Sequence, residues 1–202
     1  MLVIGITGGS GAGKTTVLNE IGRMGGCTID CDALYHELLK SSKDMLLEID
    51  GEFPGVIKDG ILDRKALGKI VFGDAGALGR LNEITHKYVA SEVEKILAAA
   101  ENAGKTLAGI DAIALIESGL SRICDVTIGV IAPAEHRVRR LMEREGISRE
   151  YALLRINAQK DDEFYKRNCD HVLRNDYESA EEFRLRCREL LSAVIVKTKG
   201  NI

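Results

Sequence analysis

The sequence predicts an α/β fold in which about five parallel strands form one sheet between layers of helices. Short apolar runs rich in β-branched residues alternate along the chain with longer segments whose apolar residues recur at helical spacing. The first of these runs leads through a glycine-rich turn directly into the first helix. With 202 residues, the chain has the length of one large domain that carries insertions.

The N-terminal part of the chain is predicted to form two successive strand and helix units. Residues 2–7 are an apolar run that ends at glycines, which is typical of a buried strand followed by a turn. Residues 15–24 carry apolar side chains on one helical face and are followed by two glycines that end the helix. A second short strand is expected at 27–29, and a helix begins near Ala33.

The rest of the chain returns to strands only after a long helical stretch. Between about 41 and 105 the apolar residues keep helical spacing, and no strand is expected there. Strand character returns at 107–116 and 126–132, and a brief last strand is expected at 171–173. Residues 134–168 are predicted to be helical and highly charged, and a closing helix follows the last strand.

Composition excludes several classes of protein. Lys and Arg total 28 against 31 Asp and Glu, a net charge of −3, so we expect no nucleic-acid partner. No apolar run is long enough to span a membrane, and the N-terminus lacks the pattern of a signal peptide, so the expected location is the cytosol. The five cysteines include no C-x-x-C pair, which favours free thiols. The sequence leaves the oligomeric state open.

Residues 8–15 are the most specific signal for function. They read Gly-Gly-Ser-Gly-Ala-Gly-Lys-Thr, a full match to the phosphate-loop pattern G-x-x-x-x-G-K-[ST], between a strand and a helix. Glycines allow successive backbone N–H groups to turn toward a phosphate at the helix N-terminus. The predicted nucleotide-binding residues are Gly8, Gly9, Gly11, Ala12, Gly13, Lys14, Thr15 and Thr16. Lys14 supplies a positive charge to the β- and γ-phosphates, and the Thr15 hydroxyl is the predicted Mg²⁺ ligand.

The phosphate loop by itself does not separate kinases from other nucleotide-binding proteins. The Asn-Lys-x-Asp sequence typical of guanine recognition does not occur. Asp30 and Asp32 follow the second strand, at the sheet edge where α/β proteins bind ligands. A carboxylate there can accept a proton from a hydroxyl that attacks a γ-phosphate. The alternative for Asp32 is an N-cap of the helix that begins near Ala33.

A basic segment near the C-terminus offers further phosphate ligands. Residues 135–167 contain nine Lys and Arg against seven Asp and Glu, in a chain that is acidic overall. Arginine suits bidentate binding of phosphate oxygens. For any one of these arginines the alternative is an ion pair on a solvated helix, and only its position relative to the phosphate loop can decide.

Taken together, these residues resemble the dephospho-coenzyme A kinase family over nearly the whole chain. The stretches that carry the resemblance are Gly-Ile-Thr-Gly-Gly-Ser-Gly-Ala-Gly-Lys-Thr-Thr-Val (5–17), Ile-Asp-Cys-Asp-Ala-Leu (29–34), Asp-Gly-Ile-Leu-Asp-Arg-Lys-Ala-Leu (59–67), Ile-Thr-His (84–86), Leu-Ile-Glu-Ser (115–118), Arg-Leu-Met-Glu-Arg (140–144) and Arg-Ile-Asn-Ala-Gln (155–159). The phosphate loop is widespread among proteins. The specificity of the resemblance therefore rests on the later stretches.

The resemblance implies an Mg²⁺-dependent transfer of the ATP γ-phosphate to the ribose 3′-hydroxyl of dephospho-coenzyme A. The resemblance implies that Asp32 is the catalytic base and that Arg140 and Arg144 are lid arginines that close over the phosphates. Lys14 would stabilise the phosphate charge together with these two arginines. Arg64 and His86 correspond to acceptor-binding positions. Asn175 falls near the segment that holds the adenine of ATP.

The same resemblance implies a single domain of the phosphate-loop nucleoside-triphosphatase type, 1–202, with three parts. Residues 1–40, 106–135 and 169–202 form the nucleotide-binding core, 41–105 a helical acceptor-binding insertion, and 136–168 an arginine-rich lid. Two alternatives stay open from the sequence. One is a nucleoside or nucleotide kinase with the same phosphate loop, and the other is a regulatory module that binds ATP without transferring phosphate.

Overall fold

The computed structural model describes residues 1–58, 60–177 and 179–199. Residues 59, 178 and 200–202, which fall in the predicted insertion and core, lie outside the described part. The strands are β1 Leu2–Gly8, β2 Cys27–Asp30, β3 Ile57–Lys58, β4 Ile61–Leu62, β5 Leu107–Asp111, β6 Val126–Ile131 and β7 His171–Arg174. The helices are α1 Lys14–Arg23, α2 Cys31–Ser41, α3 Lys43–Glu52, α4 Arg64–Val71, α5 Ala75–Asn102, α6 Ala134–Glu145, α7 Arg149–Asn157, α8 Asp162–Asn168 and α9 Ala180–Lys199.

Five strands form the main sheet in the order β2-β5-β1-β6-β7. The central strand β1 pairs in parallel with β5 on one side and with β6 on the other, and β7 continues the parallel pairing beyond β6. Because β1 is central, six of its seven residues are buried. The predicted five-stranded parallel sheet with flanking helices is confirmed, and the phosphate loop follows its central strand.

Two predictions about local structure are wrong. The strand predicted at 107–116 ends at Asp111, because the following residues form turns that end at Gly119, which has a left-handed φ of 76°. The apolar character continues in these turns, and Leu115 is fully buried. The region 41–105 also contains an antiparallel hairpin, β3 and β4. Strands of two residues are too short to show a sequence period.

The chain folds into two compact units. The first comprises Met1–Ile29 and Ala100–Ile202, and the second comprises Asp30–Ala99. The core of the first unit lies on the sheet under α1 and α9, where its buried residues include Ile4, Ile6, Val17, Ile128, Phe183 and Leu191. The core of the second is helical, and its buried residues include Met45, Ile49, Phe53, Leu67, Leu81 and Ile84. Within the described chain, no helix combines the length and the apolar character needed to cross a membrane.

Candidate active site

The phosphate loop, residues 8–15, connects the buried end of β1 to the first turn of α1. Two backbone hydrogen bonds fold it, from the Ala12 amide to the Gly9 carbonyl (3.1 Å) and from the Thr16 amide to the Gly13 carbonyl (3.0 Å). No hydrogen bond among the described residues uses the amide of Gly11 or that of Thr15, so both amides are available to an anion. A helix N-terminus with available amides and no side-chain cap is a phosphate-binding site by its geometry and its dipole.

Gly13 is a loop residue whose backbone conformation requires glycine. It precedes α1 with φ 113° and ψ 19°, in the left-handed region, and it provides no side-chain cap. A Cβ atom there would lie 2.5 Å from Nδ2 of Asn175 and 2.9 Å from Cε1 of Phe183. Both side chains are buried, so neither can move away easily.

We expect Gly13→Ala to lower the free energy of unfolding by about 2–4 kcal/mol, from backbone strain and overpacking together. A loss of that size lowers Tm by about 5–15 °C in a chain of this length, and thermal denaturation followed by circular dichroism measures it. Gly79→Ala is the control, because Gly79 lies inside α5 and its Cβ would meet nothing within 4 Å. That substitution should raise stability by about 0.5–1 kcal/mol. Equal changes in Tm for Gly13→Ala and Gly79→Ala would contradict the conclusion that the backbone at position 13 requires glycine.

Arg137 and Gln159 hold the phosphate loop through Ser10. Arg137 is 7% exposed, and its Nε donates to the Ser10 carbonyl at 2.9 Å. The Ser10 amide in turn donates to Oε1 of Gln159 at 2.9 Å, and Gln159 Nε2 donates to the Ser10 hydroxyl at 2.7 Å. A second nitrogen of the guanidinium donates to the same Gln159 oxygen. Every polar group of Ser10 is therefore fixed by residues from the basic segment.

Asn175 and Arg140 hold the other half of the loop. Asn175 follows β7, is buried, and donates from Nδ2 to the Ala12 carbonyl at 2.8 Å. Arg140 donates to the Gly11 carbonyl at 3.2 Å and to Oδ1 of Asn175 at 3.1 Å. The structure thus brings two predicted site residues together at the loop.

Arg144 lies one turn further along α6 and differs from Arg140 in its surroundings. Its side chain is 60% exposed and forms an ion pair with Glu145, a residue that also pairs with Arg155. The structure therefore places Arg144 on the solvent side of the basic segment, outside the hydrogen bonds that hold the loop. Its predicted role at the phosphates stays a prediction.

The second compact unit holds the predicted base. The N-cap of α2 is Asp30, whose carboxylate accepts hydrogen bonds from the amides of Asp32 and Ala33, both at 3.0 Å. The alternative interpretation of Asp32 as a cap of a helix near Ala33 is therefore wrong. Asp32 lies in the first turn of α2 and is exposed. Since Asp30 already provides the cap, the Asp32 carboxylate is not needed for it.

The same unit places the two predicted acceptor-binding residues on different helices. Arg64 is the first residue of α4 and is exposed. Burial raises the pKa of the Tyr35 phenol, and the positive charge of Arg64 opposes part of that shift. Tyr35 lies three residues after Asp32 on α2, and side chains at that spacing share a helix face.

His86 is half-buried in α5, next to an ion pair. The adjacent Lys87 binds both carboxylate oxygens of Glu48 in α3 at 2.6 and 2.7 Å, and Tyr88 donates to the same carboxylate at 2.9 Å. These contacts fix α5 against α3 around the His86 position. Lys87 is thus engaged within the helical unit.

Two residues next to the loop carry oxygen atoms of the kind that could hold a magnesium ion. The Thr15 side chain is exposed in the first turn of α1. Asp111 is 7% exposed, ends β5, and pairs in register with Ile6 of β1, two residues before the loop begins. Hydroxyl and carboxylate oxygens are ligands that Mg²⁺ prefers. Sequence reasoning missed Asp111, although a carboxylate that ends an apolar strand beside the phosphate-loop strand was a usable signal.

Sequence reasoning also left Arg137 and Gln159 outside the predicted site. Arg137 is one of nine basic residues in a segment where each has a solvated alternative, and no local pattern distinguishes it. Gln159 follows α7, in one of the stretches that carry the family resemblance. That resemblance was the only sequence signal for Gln159.

A central parallel strand, a glycine loop with available amides and a helix that begins with Lys14 and Thr15 define a phosphate-loop nucleotide-binding protein. Comparison with known proteins makes the assignment specific. The family model described as dephospho-CoA kinase matches residues 2–181. The chain belongs to the dephospho-CoA kinase family, and it is therefore a kinase, an enzyme that transfers phosphate.

Individual relatives agree with this membership over nearly the full length. A dephospho-CoA kinase of Corynebacterium glutamicum is 35% identical over 196 residues, which cover 96% of this chain and 100% of that protein. A crystal structure of a Thermus thermophilus protein superimposes with a TM-score of 0.79 at 34% identity and covers 97% of both chains. The dephospho-CoA kinase of Campylobacter jejuni superimposes with a TM-score of 0.68 at 25% identity, covering 99% of this chain and 98% of its own.

Proposed function

We propose that this enzyme transfers the γ-phosphate of ATP to the 3′-hydroxyl of the ribose of dephospho-CoA and releases coenzyme A and ADP. The observation that carries the proposal is a phosphate loop held in a binding conformation, in a chain that matches the dephospho-CoA kinase family over residues 2–181. Family membership favours phosphate transfer over a module that only binds ATP. It also favours dephospho-CoA over a nucleoside as the acceptor.

On the donor side, backbone amides and one lysine bind the polyphosphate. The amides of Gly11 and Thr15 would bind phosphate oxygens at the positive end of α1, and Lys14 would supply a charge to the β- and γ-phosphates. Thr15 and Asp111 would hold Mg²⁺, which neutralises charge on the phosphates when it is bound. Asn175, which lies against the loop, is proposed to contribute to the adenine site.

On the acceptor side, Asp32 is the proposed base. Its carboxylate accepts the proton of the acceptor hydroxyl as that oxygen forms a bond to the γ-phosphorus. The bond from the γ-phosphorus to the oxygen that bridges it to the β-phosphate breaks at the same centre, and ADP leaves with the electron pair. Because Asp30 provides the helix cap, protonation of Asp32 does not remove the N-cap of α2.

The remaining predicted residues have proposed roles in binding and closure. Arg64 and His86 would bind the acceptor within the insertion 41–105. Arg140 and Arg144, in the lid of residues 136–168, would stabilise the charge on the phosphate that is transferred. The nucleotide would be bound by the core, which comprises residues 1–40, 106–135 and 169–202. Closure of a lid excludes water and suppresses ATP hydrolysis without an acceptor.

A steady-state assay with an acceptor panel tests the proposal. With ATP and Mg²⁺, we expect turnover with dephospho-CoA that is at least about a hundredfold faster than with adenosine, guanosine or their monophosphates. Phosphorus NMR of the product should place the new phosphate on the ribose 3′-oxygen, and EDTA should abolish turnover. Transfer to a nucleoside with none to dephospho-CoA would replace the proposed acceptor. ATP binding without transfer to any acceptor would support the regulatory module.

We also propose that the enzyme acts in the cytosol on these small molecules, without a membrane or nucleic-acid partner. None of the five cysteines forms a disulfide. Burial raises the pKa of Cys124 and of Cys187 to about 12, so these thiols are protonated and unreactive at neutral pH. Unreactive thiols without disulfides are typical of a reducing compartment.

A further inference from the structure

Arg137 is a buried cation whose hydrogen-bond partners, within the described residues, are all neutral. Its guanidinium donates to the Ser10 carbonyl and to the Gln159 amide oxygen. Among the ion pairs of the described residues, none includes Arg137. Buried charges in proteins are usually paired with an opposite charge, because desolvation of a lone ion is costly.

The guanidinium lies directly against the backbone of the phosphate loop. A Cβ atom on Gly9 would lie 2.1 Å from Nη2 and 2.5 Å from Cζ of Arg137, so only glycine permits this approach. The Arg137 backbone is equally close to the other side of the turn, since a Cβ on Gly11 would lie 2.8 Å from the Arg137 carbonyl oxygen. The guanidinium therefore packs directly against the peptide backbone of the phosphate loop.

Among the described residues, one carboxylate acts on Arg137, that of Asp162 in α8, but it forms no ion pair with the guanidinium. Tyr165 and Asp162 of α8 act on the guanidinium and favour its charged form. Burial opposes them with a larger effect, so the pKa of Arg137 is below its ordinary value. Burial also raises the pKa of Tyr165 to about 12, so this phenol is neutral at physiological pH. An arginine stays protonated in such surroundings.

We propose that Arg137 is a positioning residue of the phosphate site, and that the bound polyphosphate supplies close negative charge to this buried guanidinium, which has no ion-pair partner among the described residues. Arg137 acts through the Ser10 peptide, which it holds together with Gln159, and it adds positive potential behind the loop where water does not screen it. This inference rests on the proposed use of ATP, but not on the identity of the acceptor.

Charge and hydrogen bonding at this position can be separated by two substitutions. Arg137→Gln keeps a donor for the Ser10 carbonyl and removes the charge, and Arg137→Lys keeps the charge. Arg139→Gln is the matched control, because Arg139 lies on the same helix and is exposed. The measurements are the Kd of Mg-ATP by isothermal titration calorimetry without an acceptor, and Tm without nucleotide.

For Arg137→Gln we expect Mg-ATP binding that is about tenfold to a hundredfold weaker, with a Tm that is unchanged or higher, because a desolvated cation has been removed. Arg137→Lys should recover at least half of the lost affinity on a logarithmic scale, and Arg139→Gln should bind within about twofold of the unaltered protein. If Arg137 served only the fold, its substitution would show the opposite pattern. The Tm would fall, and the affinity for Mg-ATP would be unchanged at temperatures well below that Tm.

Three results would overturn the proposal. They are a Tm loss or misfolding in Arg137→Gln, an Mg-ATP affinity that this variant retains, and an Arg137→Lys variant as weak as the glutamine variant. If the unaltered protein binds Mg-ATP but does not phosphorylate dephospho-CoA, only the proposed acceptor fails. If it does not bind Mg-ATP at all, both proposals fail.

Discussion

Asp32→Asn is expected to reduce kcat for phosphate transfer to dephospho-CoA by about 10²–10⁴-fold, the usual contribution of a general base. Asparagine has nearly the same shape but cannot accept the proton of the attacking hydroxyl. The Kd of Mg-ATP, measured by calorimetry, should change by less than about threefold, because the donor is bound by the loop amides and Lys14. Stopped-flow or coupled kinetics with saturating acceptor measures the loss in kcat directly.

Asp30→Asn is the control that the helix geometry provides. Asp30 caps α2 through hydrogen bonds to the amides of Asp32 and Ala33, and asparagine is about as good an N-cap as aspartate. This variant should keep kcat within a few-fold and Tm within a few degrees. If Asp32→Asn retained the kcat of the unaltered enzyme, or if Asp30→Asn lost as much as Asp32→Asn, the assignment of the base to Asp32 would be wrong.

Lys14→Met is expected to reduce kcat/KM for ATP by at least about 10²–10³-fold. The lysine supplies a preorganised charge where negative charge concentrates during transfer, and removal of one such stabilising group has effects of this size. Methionine keeps most of the side-chain volume, and Lys14 is half-buried at the start of α1. The fold should therefore remain intact, which circular dichroism and Tm can verify.

Lys105→Met serves as the comparison for Lys14→Met. Lys105 is exposed and, in the part of the chain that the structure describes, donates to the Gly25 carbonyl alone, at 2.9 Å. The net charge of the protein changes equally in both variants, so an effect confined to Lys14→Met arises at the phosphate loop. Similar losses of kcat/KM in the two variants would indicate a general charge effect and would count against a specific role for Lys14.

Much of the fold is readable from the sequence because its signals are local. A buried strand followed by glycines and an amphipathic helix specifies the β1, loop and α1 unit within about twenty residues, and the five-stranded sheet follows from repeated alternation. The prediction is wrong where the local signal is ambiguous. The apolar residues after Asp111 form turns instead of a strand, and the β3–β4 hairpin is too short to show a period.

The residues of the candidate site were also predictable from the sequence only where their signals are local. Residues of the phosphate loop were predictable because their backbone chemistry depends on glycines that are adjacent in sequence. The residues that support the loop were less predictable, because they come from far along the chain. Arg137 meets Ser10 across 127 positions, and Asn175 meets Ala12 across 163. Asp111 reaches the loop only through its register with β1.

The sequence by itself therefore determined the anion-binding loop, the class of fold and the family, since each depends on residue types at short and fixed spacing. Only the tertiary structure decided which arginines of the basic segment serve the loop. Arg137 is buried against Gly9, whereas Arg144 pairs with Glu145 in solvent. Both occupy the same helix and carry the same charge. The physical difference is that desolvation and hydrogen bonding depend on what packs against each side chain, which helical periodicity does not encode.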